Sequence, residues 1–507
     1  MLCICIPFTA FAYTEEGVAE ASTLQGGSFD LPQTAVASVS MFGARSTTSV
    51  QDVIYQGLLD YNEEINISFF RIPVSSLVDL YSNVVNDHPD LFYVSSTFSY
   101  SYYPSNNTVA VIIPSYSMSA EEIERNKAIF NEGVEKALSV VDDSMNDVQK
   151  ALVIHDYMCD VGTYPVLQFD SNGNVLNDME IYHSAFGFFY DGKVVCAGYT
   201  LAYSYLMESL GIQCEYVASN AMGHAWNIIN IDNNWYHIDL TYDDVYNFNE
   251  RENMRGAAHH RCFMKSDTAI KGNMGYYHYG YSTYDGAVAS DSTYDDYFWN
   301  EVYTMIPVIN GVYYYPEFNP TTKYTYMTKR TVDGAVSKVT TKNFNTASLN
   351  MSGSYPDESG NYNTVAFKEP LIRVAQLDGR MYIAYNKYIY SLTTTGKYYK
   401  ICDMTNYPVG FGVQDGSLVY QPYSTYTPVI VDKEQYLNDY FMTTADTTEN
   451  TYGEYNNYPD VNYDGIVNTV DFALSKDVIK FVILWLTVKK LNAIIEMLIK
   501  YKLGGLL

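Results

Sequence analysis

The fold of the central chain is decided by residues 186–244, FGFFYDGKVVCAGYTLAYSYLMESLGIQCEYVASNAMGHAWNIINIDNNWYHIDLTYDD. An apolar helix pattern begins at Cys196, and strand patterns follow around His224 and Asp239. An Asp-Asn-Asn turn joins the two strands, so we expect a hairpin that brings Asp239 close to His224. Thiol, imidazole and carboxylate are the groups that thiol-based nucleophilic catalysis requires: a sulfur, a base for its proton and an acid that orients the base.

Each of these residues also has a structural interpretation. A helix N-terminus favours a thiolate at Cys196, but most lone cysteines are small buried hydrophobic residues. A single strand histidine such as His224 is commonly structural. Asp239 is equally explained as a cap at the end of its strand. Taken one at a time, the three residues therefore leave both interpretations open.

The order of these motifs resembles the transglutaminase-like superfamily, a papain-like group of cysteine enzymes. The matching segments are 183–187 (HSAFG), 191–199 (DGKVVCAGY), 223–227 (GHAWN) and 235–244 (WYHIDLTYDD). The upstream IHDY segment at 154–157 also looks like the bacterial members. The resemblance covers roughly 145–265, and 50–140 is similar to the N-terminal region that some members carry. It implies an α+β core in which a helix bearing the cysteine packs on an antiparallel sheet.

Carried over to this sequence, the resemblance implies that Cys196 is the nucleophile, His224 the base and Asp239 the orienting acid. It implies acyl transfer on a protein or peptide substrate, through a thioester that water or an amine then takes. The Cys196 backbone N–H is the natural oxyanion donor, and Tyr182 or His183 is a candidate second donor. The resemblance leaves peptidase, amidase and acyl transferase open. The alternative is a non-catalytic scaffold or adhesion protein with a vestigial triad.

The composition limits the partners and the compartment. A chain of 507 residues predicts several domains, and its formal net charge of −28 argues against nucleic acid as a partner. The 52 tyrosines are typical of the strands of exported proteins. Five cysteines lie beyond residue 12, at 159, 196, 214, 262 and 402. An odd, scattered set is not a disulfide framework, so at least one thiol is free.

The N-terminal stretch indicates export. Residues 2–14 form a short apolar run that ends in an Ala-Phe-Ala cleavage pattern. We interpret 1–12 as a signal peptide with a truncated start and expect a secreted or cell-surface protein. The alternative is an apolar N-terminus without meaning. Residues 13–48 are rich in Ser, Thr, Ala and Gly and predict a disordered lead-in.

The remaining domains follow from pattern changes. Residues 49–143 predict an α/β N-terminal region, 144–300 a transglutaminase-like catalytic domain and 301–441 a β-rich domain. Asp-Gly and Asn-Gly turns punctuate this last part, which predicts hairpins of a β-sandwich or a propeller-like array. Its tyrosines suit either glycan and cell-wall binding or a simple spacer. Residues 442–459 read as a linker.

The segment 460–471 has the spacing of a twelve-residue calcium loop. The predicted metal ligands are Asp460, Asn462, Asp464, the Ile466 carbonyl, Asn468 and Asp471. Glycine stands at the sixth position, where the loop turns sharply, and Asp replaces the usual Glu at the twelfth. Hard oxygen ligands on a glycine turn suit Ca²⁺, which we expect as a structural ion. We expect no cofactor for catalysis.

Residues 460–480 are similar to the first half of a dockerin type I domain. This resemblance implies a cohesin-bearing scaffold of a cellulosome-like complex as partner, although only one of the two usual repeats is present. Residues 481–507 form an atypical basic amphipathic tail, which is either a membrane-surface helix or a frameshifted end. Its apolar run FVILWLTV is too short to span a bilayer, so no transmembrane span is expected.

Overall fold

A computed structural model describes residues 49–165, 180–247, 252–272, 277–283, 286–319, 321–322, 324–344, 348–425 and 427–432. The predicted signal peptide at 1–12, the lead-in at 13–48, the linker at 442–459, the calcium-loop segment at 460–480 with all its predicted ligands, and the tail at 481–507 lie outside the described residues. Within the described ranges, no helix combines the length and apolar character needed to cross a bilayer.

The described residues form two compact units. The first comprises the described residues up to Asn253 together with Ala258–Tyr303 and Asn350–Lys368. The second comprises Met254–Ala257, Thr304–Leu349 and the described residues from Glu369 onward. The first unit mixes helices and sheets, and the second contains only strands among its described regular elements, so a C-terminal all-β region follows a mixed one.

The N-terminal part of the first unit packs three helices with a small antiparallel sheet. Its elements are α1 (Val50–Leu59), β1 (Ile65–Asn66), α2 (Leu77–Asp87), β2 (Val94–Tyr103), β3 (Thr108–Tyr116) and α3 (Ala120–Leu138), with strand order β1-β3-β2. Capping boxes at Ser49 and Ser119 begin α1 and α3, since each serine accepts a backbone N–H and a carboxylate accepts its own N–H in return. Helix α2 ends before His88-Pro89, because the residue that precedes a proline avoids the helical conformation.

The central part of the first unit holds the residues of the opening sequence. Its elements are α4 (Asp147–Val161), α5 (Ala185–Asp191), α6 (Cys196–Ser209), β4 (Cys214–Ser219), β5 (His224–Ile231), β6 (Asn234–Ile238), α7 (Leu240–Asp243), β7 (Asp244–Asn247), β8 (Glu252–Ala258) and α8 (Asp267–Ile270). Strands β4, β5 and β6 form an antiparallel sheet in that order. Asp232 and Asn233 take φ values of 53° and 64° between β5 and β6, as a two-residue hairpin turn requires, which confirms the predicted hairpin.

Helix α6 is buried along most of its length and is locked to strand β5. The Asn227 side-chain amide on β5 donates to the Thr200 carbonyl at 3.0 Å and to Ser204 Oγ at 2.8 Å. Gly198 lets the first turn of α6 approach the preceding 3₁₀ turn, because a Cβ at this position would lie 2.6 Å from the Tyr182 carbonyl oxygen. These contacts fix the start of α6 relative to the start of β5, which are the positions of Cys196 and His224.

The second unit is a series of antiparallel sheets. Its strands, together with β13 and β14, whose residues mostly belong to the first unit, are β9 (Val308–Ile309), β10 (Val312–Asn319), β11 (Tyr324–Arg330), β12 (Val336–Phe344), β13 (Ser348–Pro356), β14 (Tyr362–Pro370), β15 (Ile372–Leu377), β16 (Arg380–Tyr385), β17 (Tyr388–Leu392), β18 (Tyr398–Asp403), β19 (Pro408–Gln414), β20 (Ser417–Pro422) and β21 (Val429–Ile430). The sheet orders are β12-β11-β10-β9, β15-β16-β17-β18 and β19-β20-β21. The predicted turns at Asp378-Gly379 and Asp415-Gly416 join neighbouring strands, with positive φ at every turn residue.

Candidate active site

Cys196 is the first residue of α6 and is buried, with 4% of its surface exposed. The preceding residue, Val195, is held by a hydrogen bond from its N–H to the Tyr182 carbonyl at 2.9 Å. Because the N–H groups of the first helical turn have no partner within the helix, this end of α6 favours negative charge on the sulfur. The position therefore suits a thiolate nucleophile.

His224 begins β5 directly after Gly223, whose φ is 60°. Its Nε2 lies 2.7 Å from Asp239 Oδ2, so Nδ1 is the ring nitrogen left for Cys196, which is close enough to affect the pKa of His224. Burial alone would lower the pKa of His224, but the charges and hydrogen bonds of Asp239 and Cys196 raise it well above its usual value. The ring also stacks on Tyr242, with centroids 4.7 Å apart. His224 is thus oriented on both ring edges and one face.

Asp239 connects β6 to α7 and uses its two carboxylate oxygens differently. Oδ1 accepts the Tyr242 N–H at 3.2 Å and caps α7, whereas Oδ2 contacts His224. Both sequence interpretations, cap and partner of the histidine, therefore describe the same side chain. Burial by itself would raise the pKa of Asp239, but the charges and hydrogen bonds of His224 and His278 hold it well below its usual range. Asp239 is an ionised acceptor.

His278 also binds this carboxylate and was missed by sequence reasoning. Its Nε2 lies 2.7 Å from Asp239 Oδ2, the same oxygen that contacts His224. The residue lies 39 positions after Asp239, in a Tyr- and Gly-rich segment without regular pattern. Ser219 holds this segment against the sheet by donating from Oγ to the Tyr279 carbonyl at 2.6 Å. No motif marks His278, and its only signal is a lone histidine.

A second buried cluster of the same residue types lies between α4 and the segment after β8. His155 Nδ1 and His260 Nε2 lie 3.1 Å and 2.8 Å from Asp156 Oδ1. His155 Nε2 lies 3.3 Å from Asp243 Oδ2 and 3.9 Å from Cys159 Sγ. Burial raises the pKa of the Cys159 thiol to about 12. This cluster, His155–Asp156–Cys159–Asp243–His260, therefore holds a protonated thiol.

Each cluster contains three side chains of the kinds that bind metals, His155, Asp156 and His260 in one and His224, Asp239 and His278 in the other. In each, a single carboxylate oxygen lies between two ring nitrogens at 2.7–3.1 Å. Two ligands of a tetrahedral zinc ion would lie about 3.4 Å apart. The spacing fits N–H···O hydrogen bonds. We therefore interpret both groups as histidine–carboxylate networks.

The two residues expected as second oxyanion donors occupy the 3₁₀ turn Glu180–His183 before α5. The Tyr182 carbonyl supports Val195, and His183 is buried. Tyr216 on β4 was not singled out from the sequence, although burial and the negative charge of Cys196 both raise its pKa. The Tyr216 phenol therefore stays protonated and is a candidate hydrogen-bond donor to an oxyanion formed at Cys196.

A cavity of about 880 Å³ borders the segment that carries His278. Its wall includes His278 itself, three neighbouring tyrosines and the charged side chains of Asp267 and Lys271. Residues 357–359, from the turn between β13 and β14, complete the lining. The His278 ring thus separates this cavity from the Asp239 carboxylate.

One comparison with known proteins covers the part of the chain that holds this site. The model of the transglutaminase-like superfamily matches residues 135–240, a range that contains Cys196, His224 and Asp239. The chain therefore contains a transglutaminase-like domain, followed by the all-β region. Members of this superfamily are generally cysteine enzymes, either acyl transferases or peptidases.

Similarity to individual proteins is weaker. A solved structure described as "Crystal structure of a TGase" is 16% identical, with 30% of this chain and 46% of that chain covered and a TM-score of 0.20. At that TM-score the likeness carries no argument about fold or function. The search of curated proteins finds no match.

Proposed function

We propose that this protein is a cysteine enzyme that forms a thioester on protein or peptide amides, as a peptidase, amidase or acyl transferase. The observation that carries the proposal is the contact of 2.7 Å between His224 Nε2 and Asp239 Oδ2, with Cys196 at a helix N-terminus and close enough to affect the pKa of the same imidazole. Superfamily members act on protein substrates, which supports this substrate class.

The residues support a two-stage reaction. His224 takes the thiol proton through Nδ1, and the Cys196 thiolate attacks the amide carbonyl to form a tetrahedral oxyanion. His224 then donates this proton to the departing amine nitrogen as the C–N bond breaks, leaving the acyl group on sulfur. In the second stage, His224 deprotonates water or an incoming amine, which attacks the thioester and releases the sulfur. Asp239 keeps the His224 ring in the required tautomer throughout.

The oxyanion requires hydrogen-bond donors at the start of α6. The backbone N–H of Cys196 is one, since it belongs to the first helical turn and has no partner within the helix. We propose the Tyr216 phenol as the second donor, because it is protonated and senses the charge of Cys196. Tyr182 and His183 are the competing candidates on the neighbouring 3₁₀ turn.

One experiment separates the enzyme classes. The full chain and its Cys196→Ala variant are incubated with casein and a labelled primary amine. Label incorporated by the unsubstituted chain alone identifies a transferase, new peptide termini identify a peptidase, and ammonia release without incorporated label identifies an amidase. If the two proteins behave identically in all three assays, the enzyme proposal is wrong.

A non-catalytic scaffold or adhesion protein is the second candidate. One observation favours it: Cys196 is 4% exposed, so a substrate carbonyl must reach a sulfur that is almost covered. In that case the Cys196–His224–Asp239 group would be only a structural network. Alkylation of Cys196 no faster than that of Cys402, which is partly exposed in the second unit, would favour this candidate.

We further propose that the enzyme acts outside the cell, docked by its calcium loop to a cohesin-bearing scaffold. The apolar run at 2–14 with its cleavage pattern and the oxygen-ligand spacing of 460–471 support this location and partner. Calorimetric titration of the full chain with Ca²⁺ tests the loop, with Asp464→Ala as the variant. Equal calcium binding by both proteins would overturn the loop assignment.

A further inference from the structure

Both ring nitrogens of His278 face oxygen acceptors. Nε2 lies 2.7 Å from Asp239 Oδ2, and Nδ1 lies 3.1 Å from the Ile270 carbonyl oxygen. The ring is buried and packs edge-on against Trp226, with centroids 4.6 Å apart. A carbonyl oxygen has no proton to give, and the low pKa of Asp239 makes its carboxylate an acceptor as well. A neutral imidazole has one N–H and satisfies only one of these contacts.

We propose that His278 is a positioning residue: as an imidazolium cation it binds the Asp239 carboxylate and makes protonated His224 a stronger acid. The inference rests on the proposed function, since it concerns the acid–base behaviour of the same triad. Two cations then share one carboxylate oxygen, with the His224 and His278 ring centroids 5.9 Å apart. Their repulsion disfavours the imidazolium form of His224, which makes His224 a better acid toward the leaving amine.

The groups around His278 allow this charge. Asp239 lies at the end of β6, Tyr242 on α7 has its ring centroid 5.1 Å away, and His224 occupies the start of β5. On the remaining side, His237 accepts the Trp226 Nε1–H at 3.0 Å and donates to Asp267 at 3.0 Å. Burial and the nearby cations His278 and Lys271 lower the pKa of His237, with Asp267 opposing them, so His237 is neutral.

His278 belongs to the wall of the cavity of about 880 Å³, and its ring is fully buried behind that wall. Gly280 takes a φ of 62° in the turn that follows, and a Cβ there would lie 2.9 Å from Ala221 Cβ. The segment is therefore held in a shape that presents the ring to Asp239. Removing the ring would open the cavity toward the carboxylate, which permits a rescue experiment.

The first test measures the alkylation rate of Cys196 by iodoacetamide from pH 4 to 11, with the modified peptide quantified by mass spectrometry. We expect two rises with pH in the unsubstituted chain, one when the thiolate–imidazolium pair forms and one when His224 loses its proton. His278→Gln keeps a donor toward Asp239 but removes the cation. The second rise should move to higher pH by roughly 0.5 to 2 units, from charges about 6 Å apart.

His237→Gln is the matched control, because it removes a buried, neutral histidine that contacts Asp267 instead of Asp239. Its second rise should stay in place. An unchanged second rise in His278→Gln, or an equal shift in both variants, would overturn the role of His278. A single rise at the pH of an ordinary thiol in the unsubstituted chain would instead overturn the proposed function itself.

The second test uses His278→Ala, whose folding is checked by its thermal unfolding midpoint. Added imidazole should restore the pH profile of Cys196 alkylation, because it can enter from the cavity and carry a proton. Pyrazole has nearly the same shape but remains neutral at these pH values, so it should not. Rescue by both molecules would show that His278 only fills space, and rescue by neither would also contradict the proposal.

Discussion

Two buried clusters in the first unit use the same residue types, and we propose opposite roles for their thiols. In the Cys196 cluster, one oxygen of Asp239 joins His224 and His278. In the Cys159 cluster, one oxygen of Asp156 joins His155 and His260. The two arrangements of carboxylate and imidazoles are close to identical.

The thiols differ in their position along a helix. Cys196 is the first residue of α6, whereas Cys159 lies in the last turn of α4, where unpaired carbonyls disfavour negative charge. Burial raises the pKa of Cys159 to about 12 against the charge and hydrogen bond of His155, which lower it, and the charges of Asp244 and Asp243 act in the same direction as burial. A cysteine, a histidine and an aspartate in contact therefore do not define a nucleophile. The helix end that carries the sulfur favours a thiolate at Cys196 and disfavours one at Cys159.

The largest expected effect separates the two sulfurs. Cys196→Ser should lower kcat/KM on casein by about 10⁴-fold or more, because no other group can form the thioester. Cys159→Ser should change kcat/KM by less than about threefold once folded protein is counted, because its thiol stays protonated and takes no step in the reaction. Comparable losses in both variants would break the distinction between the clusters.

The two aspartates provide the next contrast. Asp239→Asn should lower kcat by about 10²- to 10⁴-fold, because the amide no longer holds the required His224 tautomer. Asp156→Asn should instead lower the free energy of unfolding by about 3–5 kcal/mol, since a neutral amide replaces the buried carboxylate that pairs with both His155 and His260. Steady-state kinetics and urea denaturation measure the two effects. A kinetic defect in Asp156→Asn at unchanged stability would contradict the assignment.

Tyr216→Phe tests whether Tyr216 is the second oxyanion donor of the Cys196 cluster. Removing one oxyanion donor typically costs 10²- to 10³-fold in kcat, and we expect about 10²-fold here because the Cys196 N–H remains. The rate of iodoacetamide alkylation should stay within a few fold, since alkylation forms no oxyanion. A normal kcat in Tyr216→Phe would indicate that Tyr182 or His183, rather than Tyr216, is the second oxyanion donor.

The smallest expected effect is on acid stability and involves both clusters. The pKa values of Asp156 and Asp239 are lowered in the folded state, against the effect of burial, by their histidine partners. Their stabilisation is therefore present above the usual value near 4 and is lost as the pH falls through the folded values. Each carboxylate should account for about 1–2 kcal/mol of the loss between pH 7 and pH 3. Urea denaturation at the two pH values measures it.

His155 acts in the opposite direction. Burial would lower its pKa, but Cys159, Asp156 and Asp243 raise it well above its usual value. Its stabilisation is full below about pH 6.5 and is lost as the pH rises through the folded value. Substituting Asp156 or Asp239 by Asn should reduce the loss of stability at acid pH and leave the loss at high pH unchanged. If the loss at acid pH is unchanged in both variants, the carboxylates do not carry these charges.

The sequence was sufficient for the parts of the site that depend on local pattern. The start of α6 at Cys196 follows from the Asp-Gly turn and the apolar helix pattern, and the two-residue turn at Asp232-Asn233 sets the register that places Asp239 beside His224. His260 and His278 could not be predicted in the same way. They lie in irregular segments whose paths depend on distant contacts, such as the bond from Ser219 Oγ to the Tyr279 carbonyl.

Tyr216 escaped prediction for a different reason. It lies on a regular strand, but its position relative to Cys196 depends on how β4 and α6 pack, which periodicity does not specify. The domain boundaries, the calcium loop and the extracellular location stay predictions. Both sequence interpretations of Asp239 apply, because one carboxylate oxygen caps α7 and the other contacts His224.

The most direct test of the account compares cysteine alkylation by iodoacetamide at pH 6 in the unsubstituted chain and in His224→Ala. At this pH an ordinary thiol is well under 1% ionised, so a thiolate held by His224 should make Cys196 react about 10²-fold faster than Cys159 and Cys402. His224→Ala should remove that advantage while leaving the other two rates unchanged. Equal rates for Cys196 and Cys402 in the unsubstituted chain, or a Cys196 rate that survives the loss of His224, would contradict the central claim.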